Sequence, residues 1–244
     1  MNTTQNVILL TGATSGIGLA LLRRFYELNN KIIAVSSSEV RLQAMRQQFK
    51  NIETWCCDLG DAAAVGVLIR QCKTHFPGLN ILINNAGVQY NYNWIDEPDA
   101  AGKIEQEVRI NFISVMQLTH GLLPLLRSKK EAAIVNVSSG LAFAPKKSAP
   151  VYCATKAAVH IATKALRYQL ENTTVRLFEI IPPLVDTPMT AGRDKGKITA
   201  EQLVNEFLKN FDRNVYESNI GKTKLLRAIQ RISPRLADRI LKNG

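Results

Sequence analysis

Tyr152 and Lys156 stand four residues apart in a stretch, 152–170, that carries good helix formers and neither Gly nor Pro. On a helix that spacing puts both side chains on one face, so a phenol and an ammonium stand side by side. A free tyrosine titrates near ~10, and a neighbouring cation favours its ionised form. Bringing it toward neutrality takes roughly two to three units, about 3–4 kcal/mol, much of which Lys156 could supply. Such a phenol can give a proton to a carbonyl oxygen or take one from a hydroxyl, which is general acid–base work. Ser139 follows an apolar run, 132–137, that reads as a buried strand. A hydroxyl at the carboxyl end of a strand can hydrogen-bond the same substrate oxygen. The bare Tyr-x-x-x-Lys spacing also arises by chance in many helices, so the surrounding elements decide its meaning.

Those elements begin at the N-terminus. Val7 to Thr11 reads as a strand, Gly12-Ala13-Thr14-Ser15-Gly16-Ile17-Gly18 as a glycine-rich turn, and Leu19 to Leu28 as a helix. Strand, glycine-rich turn and helix together form the context of a dinucleotide-phosphate site, although a tight turn without a ligand has the same look. Lys31 to Val35 reads as a second strand, which should end near an adenosine ribose. Ser36-Ser37-Ser38 stand there where an acid would bind the 2′-hydroxyl of NAD. The missing acid favours NADP(H), with NAD(H) as the alternative, and Arg41 lies a turn further on.

Ile52 to Cys57 reads as a third strand ending in Asp58-Leu59, with a helix over Asp61 to Lys73. Asp58 could accept from an adenine amino group or cap that helix. A fourth strand, Leu79 to Ile83, ends in Asn84-Asn85-Ala86-Gly87. Glu105 to Leu126 reads as one long helix with Asn111 inside it, an amide that is either exposed or recruited to a polar site. A sixth strand, Thr174 to Ile181, leads into Pro182-Pro183-Leu184-Val185-Asp186-Thr187-Pro188-Met189, which the prolines should keep irregular. A polar loop to Lys197, a helix from Thr199 to Phe211 and a short strand within Val215 to Ile220 follow. Strands alternating with helices imply a parallel, doubly wound α/β sheet.

The bulk properties narrow the class. At 244 residues with 46% hydrophobic content, the chain suits one α/β domain. No signal-peptide pattern opens it and no apolar run approaches the ~18 residues that span a bilayer. Cys56, Cys57, Cys72 and Cys153 lack metal-knuckle spacing, so a reduced, cytoplasmic protein without metal is expected. Residues 220–244 hold seven basic side chains and one acid, more than half of the net charge of +11. Leu225, Ile229, Ile232, Leu236 and Ile240 recur there at helical steps around Pro234, giving a basic amphipathic tail. Packing on its own domain or a neighbouring subunit is the plainer reading, and peripheral contact with an anionic membrane the sharper one. Nucleic acid is not expected, because no aromatic-rich basic surface accompanies the charge. His160 is read as helix packing, and Asp96, Glu97 and Asp99 as solvated loop acids.

In order along the chain, Thr11-Gly12-x-x-x-Gly16-x-Gly18, Asp58, Asn84-Asn85-Ala86-Gly87, Asn111, Ser139, Tyr152-x-x-x-Lys156 and Pro182 to Met189 resemble the short-chain dehydrogenase/reductase family. The resemblance implies a Rossmann-type, mostly parallel seven-stranded sheet, with residues 1–219 as the catalytic domain and 220–244 as a helical tail of the same domain. It implies that Gly12, Ser15, Gly16, Ile17 and Gly18 line the cofactor phosphates, and Asp58 and Leu59 the adenine, while Ser36 and Ser37 keep the ribose position read from the second strand. Asn85, Ala86 and Gly87 would border the nicotinamide side, with Pro182, Val185 and Thr187 near the carboxamide. Tyr152 would be the acid/base and Ser139 would polarise the substrate oxygen. Lys156 would hold the ribose and lower the tyrosine pKa, and Asn111 would hold a relay water. A small carbonyl or alcohol substrate and a homodimer or homotetramer go with the family. So does hydride transfer, with a non-catalytic cofactor sensor or membrane-surface binder as the alternative. Pro182-Pro183 departs from the family's usual Pro-Gly. Together with Gly221-Lys222-Thr223-Lys224-Leu225-Leu226 it is similar to the DltE-like oxidoreductase subgroup, found near lipoteichoic-acid D-alanylation genes.

Overall fold

Successive residues of a strand face opposite ways, and in the central strands of this chain both sets are apolar. Ile8 and Leu10 enter one core with Ile81, Ile83, Val135, Phe178 and Ile180, while Leu9, Leu82, Ile134 and Leu177 enter the other. Such strands need cover on both faces, which helical crossovers provide. The computed structural model describes residues 1–192 and 196–243. Its strands are β1 (Val7–Thr11), β2 (Lys31–Ser36), β3 (Glu53–Cys56), β4 (Ile81–Asn84), β5 (Ala132–Val137), β6 (Val175–Ile181) and β7 (Glu217–Asn219). They form one sheet in the order β3-β2-β1-β4-β5-β6-β7, and every pairing is parallel.

The helices are α1 (Gly16–Glu27), α2 (Glu39–Gln48), α3 (Ala62–His75), α4 (Ala100–Val108), α5 (Ser114–Arg127), α6 (Pro150–Leu170), α7 (Ala200–Asp212), α8 (Thr223–Ile232) and α9 (Pro234–Leu241). Helices α1 and α7 cover one face through Leu21, Phe25, Phe207 and Phe211. Helices α3, α5 and α6 cover the other through Leu68, Leu122, Leu126 and Leu170. The strand order reverses between β1 and β4, and the carboxyl ends there flank a crevice, the usual ligand position in such sheets.

Several expectations are corrected. The single helix expected over 105–126 begins earlier and is two helices, α4 and α5, joined by a π-helical turn over Arg109–Ile113. The turn lies at Asn111, whose buried amide bonds Val88 rather than sitting in a regular helix. Residues 182–189 are not wholly irregular: Pro188 starts a 3₁₀ turn, Pro188–Thr190, as suits a residue at the first helical position. Val185 also pairs with Ile198. Helix α2 had not been anticipated, because its residues are polar with only Leu42 and Met45 buried. Asp61, not Asp58, caps α3 by accepting from Ala63 N. The loop acids also have partners: Glu97 pairs with Lys103, Asp96 with Asn93, and Asp99 caps α4. The polar loop leading to Lys197 lies outside the described residues at 193–195.

Candidate active site

Glycines shape the floor of the crevice. Gly12 has φ +64° and Gly16 φ +50°, the left-handed region that suits glycine. A Cβ on Gly18 would fall 2.0 Å from Gly12 O, and one on Gly16 2.9 Å from Thr187 Cγ2. Asn85 fixes this turn: its Nδ2 donates to Thr11 O at 2.9 Å and to Gly12 O at 3.2 Å. Thr11 Oγ1 in turn accepts from the amides of Asn85 and Ala86 at 3.0 and 3.1 Å. No side chain caps α1 at Ser15 and no acid occupies its first turn. The N–H groups and positive dipole end of that helix therefore face the crevice. A cradle of this kind, closed to any Cβ, fits a dinucleotide pyrophosphate.

The crevice is the mouth of a cavity of about 1290 Å³. Every residue expected to bind cofactor lines it, from Gly12, Ser15, Gly16, Ile17 and Gly18 through Ser36, Ser37, Asp58 and Leu59 to Asn85, Ala86, Gly87, Pro182, Val185 and Thr187. Their side chains are engaged in different ways. Ser36 Oγ lies 3.1 Å from Thr14 Oγ1 and accepts from Ser38 N at 3.2 Å. Ser38 caps α2. Asp58 accepts from Gly60 N at 2.8 Å. Arg41 lies at the Ser37 end of the cavity.

Ser139, Tyr152 and Lys156 line the same cavity and are all buried. Ser139 follows β5, where its hydroxyl accepts from Leu141 N at 3.1 Å. Tyr152 and Lys156 occupy successive turns at the start of α6, and Lys156 Nζ lies 5.7 Å from the Tyr152 ring centre. Lys156 Nζ donates to Val137 O at 2.8 Å. Asn111 is fully buried behind them and does not line the cavity. Its Oδ1 accepts from Val88 N at 2.8 Å, and its Nδ2 donates to Val88 O at 2.9 Å and to Thr155 Oγ1 at 3.2 Å. Gly87 is where Asn111 and Lys156 meet: a Cβ there would lie 3.2 Å from Asn111 Oδ1 and 3.5 Å from Lys156 Nζ. The Asn111 side chain is thus occupied by protein partners, and the residue lies inside the π-helical turn.

Sequence reasoning missed a buried pair behind Lys156. His160 Nδ1 lies 3.0 and 2.9 Å from the two carboxylate oxygens of Glu179 on β6. The signal was present as an acid within the apolar run of β6, a placement that demands a partner. Phe143 packs edge-on against His160 with centres 5.1 Å apart, and the Arg227 guanidinium of α8 lies 4.3 Å over Phe143. A second missed set, Thr119, Asn84, Asn136 and Thr163, forms a buried hydrogen-bonded chain through the sheet. The amphipathic tail was expected, but not what it covers: Leu225, Leu226 and Ile229 of α8, with Ile240 and Leu241 of α9, line the same cavity.

Burial pushes the Lys156 ammonium down to about 8 from 10.5, while the Glu179 carboxylate pulls it upward. Between those two pH values the unfolded chain holds a proton that the folded chain has released, so stability rises with pH. The full span corresponds to about 3 kcal/mol. Urea unfolding from pH 8 to 10.5 should show a steeper rise for wild type than for Lys156→Met. The comparison is needed because Cys57 and Cys72, pushed up to about 11 and 12 by burial, act in the opposite direction above pH ~9. Parallel curves would contradict the assignment.

The doubly wound parallel sheet and the crevice at its strand reversal define a Rossmann-type architecture, and the family model for the short chain dehydrogenases matches residues 6–198. The chain belongs to that family. It is 40% identical over 214 residues to the uncharacterised oxidoreductase DltE of Bacillus subtilis, covering 85% of each chain. It superposes with a TM-score of 0.88 on a short chain dehydrogenase of Burkholderia cenocepacia in complex with NADP, at 22% identity and full coverage of both chains. A short-chain dehydrogenase/reductase of Burkholderia phymatum in complex with NAD gives 0.85 at 20% identity, covering 100% of this chain and 97% of the other. Among the described residues no helix is long and apolar enough to cross a membrane, and no group of three or more His, Cys, Asp or Glu side chains could hold a metal.

Proposed function

We propose that the protein is an NADP(H)-preferring oxidoreductase that interconverts a carbonyl and an alcohol. The observation that carries this reading is the placement of Ser139, Tyr152 and Lys156 in one wall of the cavity floored by the glycine turn. When bound, the nicotinamide supplies or receives the hydride. Ser139 Oγ and the Tyr152 hydroxyl would hold the substrate oxygen, and Tyr152 would give it a proton in reduction and remove one in oxidation. Lys156 would bind the nicotinamide ribose and favour the ionised phenol between turnovers. Asn111 would pass the replacement proton through water on its main-chain carbonyl. Residues 1–219 would carry this chemistry, and residues 220–244 would shape the substrate end.

The preference for NADP(H) rests on Ser36, Ser37 and Arg41, which line the cavity with Asp58 as the only acid among the described lining residues and with no acid at the end of β2 itself. Arg41→Ser is expected to weaken NADPH about tenfold and NADH less than twofold, consistent with the loss of one charge-assisted hydrogen bond. Fluorescence titration of NADPH beside NADH tests both points. Equal affinities in the wild type would overturn the preference, and binding of neither would overturn the enzyme reading.

A further inference from the structure

The cavity wall made by α8 and α9 continues into a second, open cleft between α9 and the 145–150 loop. Five cations line this cleft, Lys146, Lys147, Arg235, Arg239 and Lys242, against one acid among the described residues, Asp238. Like charges gathered this closely repel one another and destabilise the compact state. Lys147, Arg235, Arg239 and Lys242 make no ion pair with a described residue. The cleft is built on ordered backbone: Lys147 N donates to Lys242 O at 2.9 Å, which ties α9 to the loop. Lys146 belongs to both spaces. It is 5% exposed, lines the main cavity as well as the cleft, and donates to Asn91 Oδ1 at 2.9 Å. The main cavity that Tyr152 and Lys146 both line also carries apolar side chains of α8 and α9, Leu226, Ile229 and Leu241.

We propose that this cleft binds the phosphate-type anionic group of an amphiphilic substrate whose apolar segment lies along α8 and α9 and whose carbonyl reaches Tyr152. The proposal rests on the oxidoreductase reading above and adds the class of substrate. Guanidinium pairs suit a tetrahedral dianion because their forked donors can each engage two oxygens. The apolar wall rewards a chain by removing its surface from water. An inorganic anion alone would forgo that gain, and a neutral amphiphile would forgo the charge.

The test is calorimetric titration of the NADP⁺-saturated protein with octyl phosphate, inorganic phosphate and octyl glucoside. Octyl phosphate should bind at least tenfold tighter than either of the others. The double variant Arg235→Gln/Arg239→Gln should weaken it at least tenfold, and Asp238→Asn should tighten it several-fold. Asp238→Asn is a mild change that keeps the test readable should the double variant not fold. Octyl phosphate binding that ignores both variants, or that is no tighter than inorganic phosphate, overturns the proposal. Co-sedimentation with phosphatidylglycerol vesicles but not phosphatidylcholine vesicles, lost in the double variant, would support a membrane lipid as the source. Octyl phosphate binding without sedimentation would support a soluble substrate. NADPH titration separates the two levels: no NADPH binding sinks the enzyme reading, whereas normal NADPH binding with charge-blind octyl phosphate binding sinks the cleft alone.

Discussion

Tyr152→Phe should turn over a carbonyl substrate about 10²- to 10⁴-fold more slowly than wild type, the usual range for loss of a general acid–base group. Its NADPH affinity should stay within about twofold. The change removes one hydroxyl from a side chain that is 9% exposed and faces the cavity, so the ring still fills its place at the start of α6. Lys156 keeps its bond to Val137 O, and the glycine turn is untouched. The loss should therefore fall on kcat rather than on cofactor binding. Single-turnover assays beside fluorescence titration would check it. Unchanged turnover would remove Tyr152 from the chemistry, and a cofactor-dependent response that survives the substitution would favour a sensor over an enzyme.

Gly18→Ala should have the second large effect, of the opposite kind: cofactor binding lost by at least a hundredfold, with stability lowered. The added Cβ would lie 2.0 Å from Gly12 O, 2.8 Å from Gly12 C and 2.6 Å from Asn85 Nδ2. Two of those three atoms are backbone, so no side-chain rotation relieves the contact. Gly12 cannot retreat easily, because a Cβ at that position would already be 2.9 Å from Ala86 Cα. Overpacking of this sort costs about 1–3 kcal/mol, and here the displaced atoms set the shape of the glycine turn that would bring the N–H groups of α1 to the pyrophosphate. A thermal melt together with NADPH titration measures both parts. Affinity within threefold of wild type would mean that the turn is not the phosphate cradle.

Short-range features of the site were legible because each imposes a local requirement on residue type. Gly12 and Gly16 stand where φ is positive, and Tyr152 and Lys156 share a face through helical periodicity alone. Features that join distant segments were not. His160 could be judged only as a helix residue until β6 brought Glu179, nineteen positions away, against it. Lys146 meets Asn91 across fifty-five positions. Asn111 was recognised as an odd residue in a helix, but its bonds to Val88, twenty-three positions away, are specified by no pattern within the helix. The fold itself was readable from the apolar strands, since burial on both faces leaves few alternatives to a parallel sheet. The tail was readable as an amphipathic helix but not as a cavity wall, because an apolar stripe does not say what it covers.

That wall has a consequence for how such a chain diversifies. The proposed reacting groups sit at the end of β5 and the start of α6, whereas part of the apolar lining of the same cavity comes from the last twenty or so residues. On the proposed reading, chemistry and part of the selectivity are therefore written in separate parts of the sequence. Drift or exchange within α8 and α9 would readdress the proposed proton and hydride transfer to a new molecule without disturbing the glycine turn or the Tyr152–Lys156 face. The C-terminal hairpin is in that sense an interchangeable cassette, and grafting another chain's final two helices onto residues 1–219 is the route by which specificity would be expected to move.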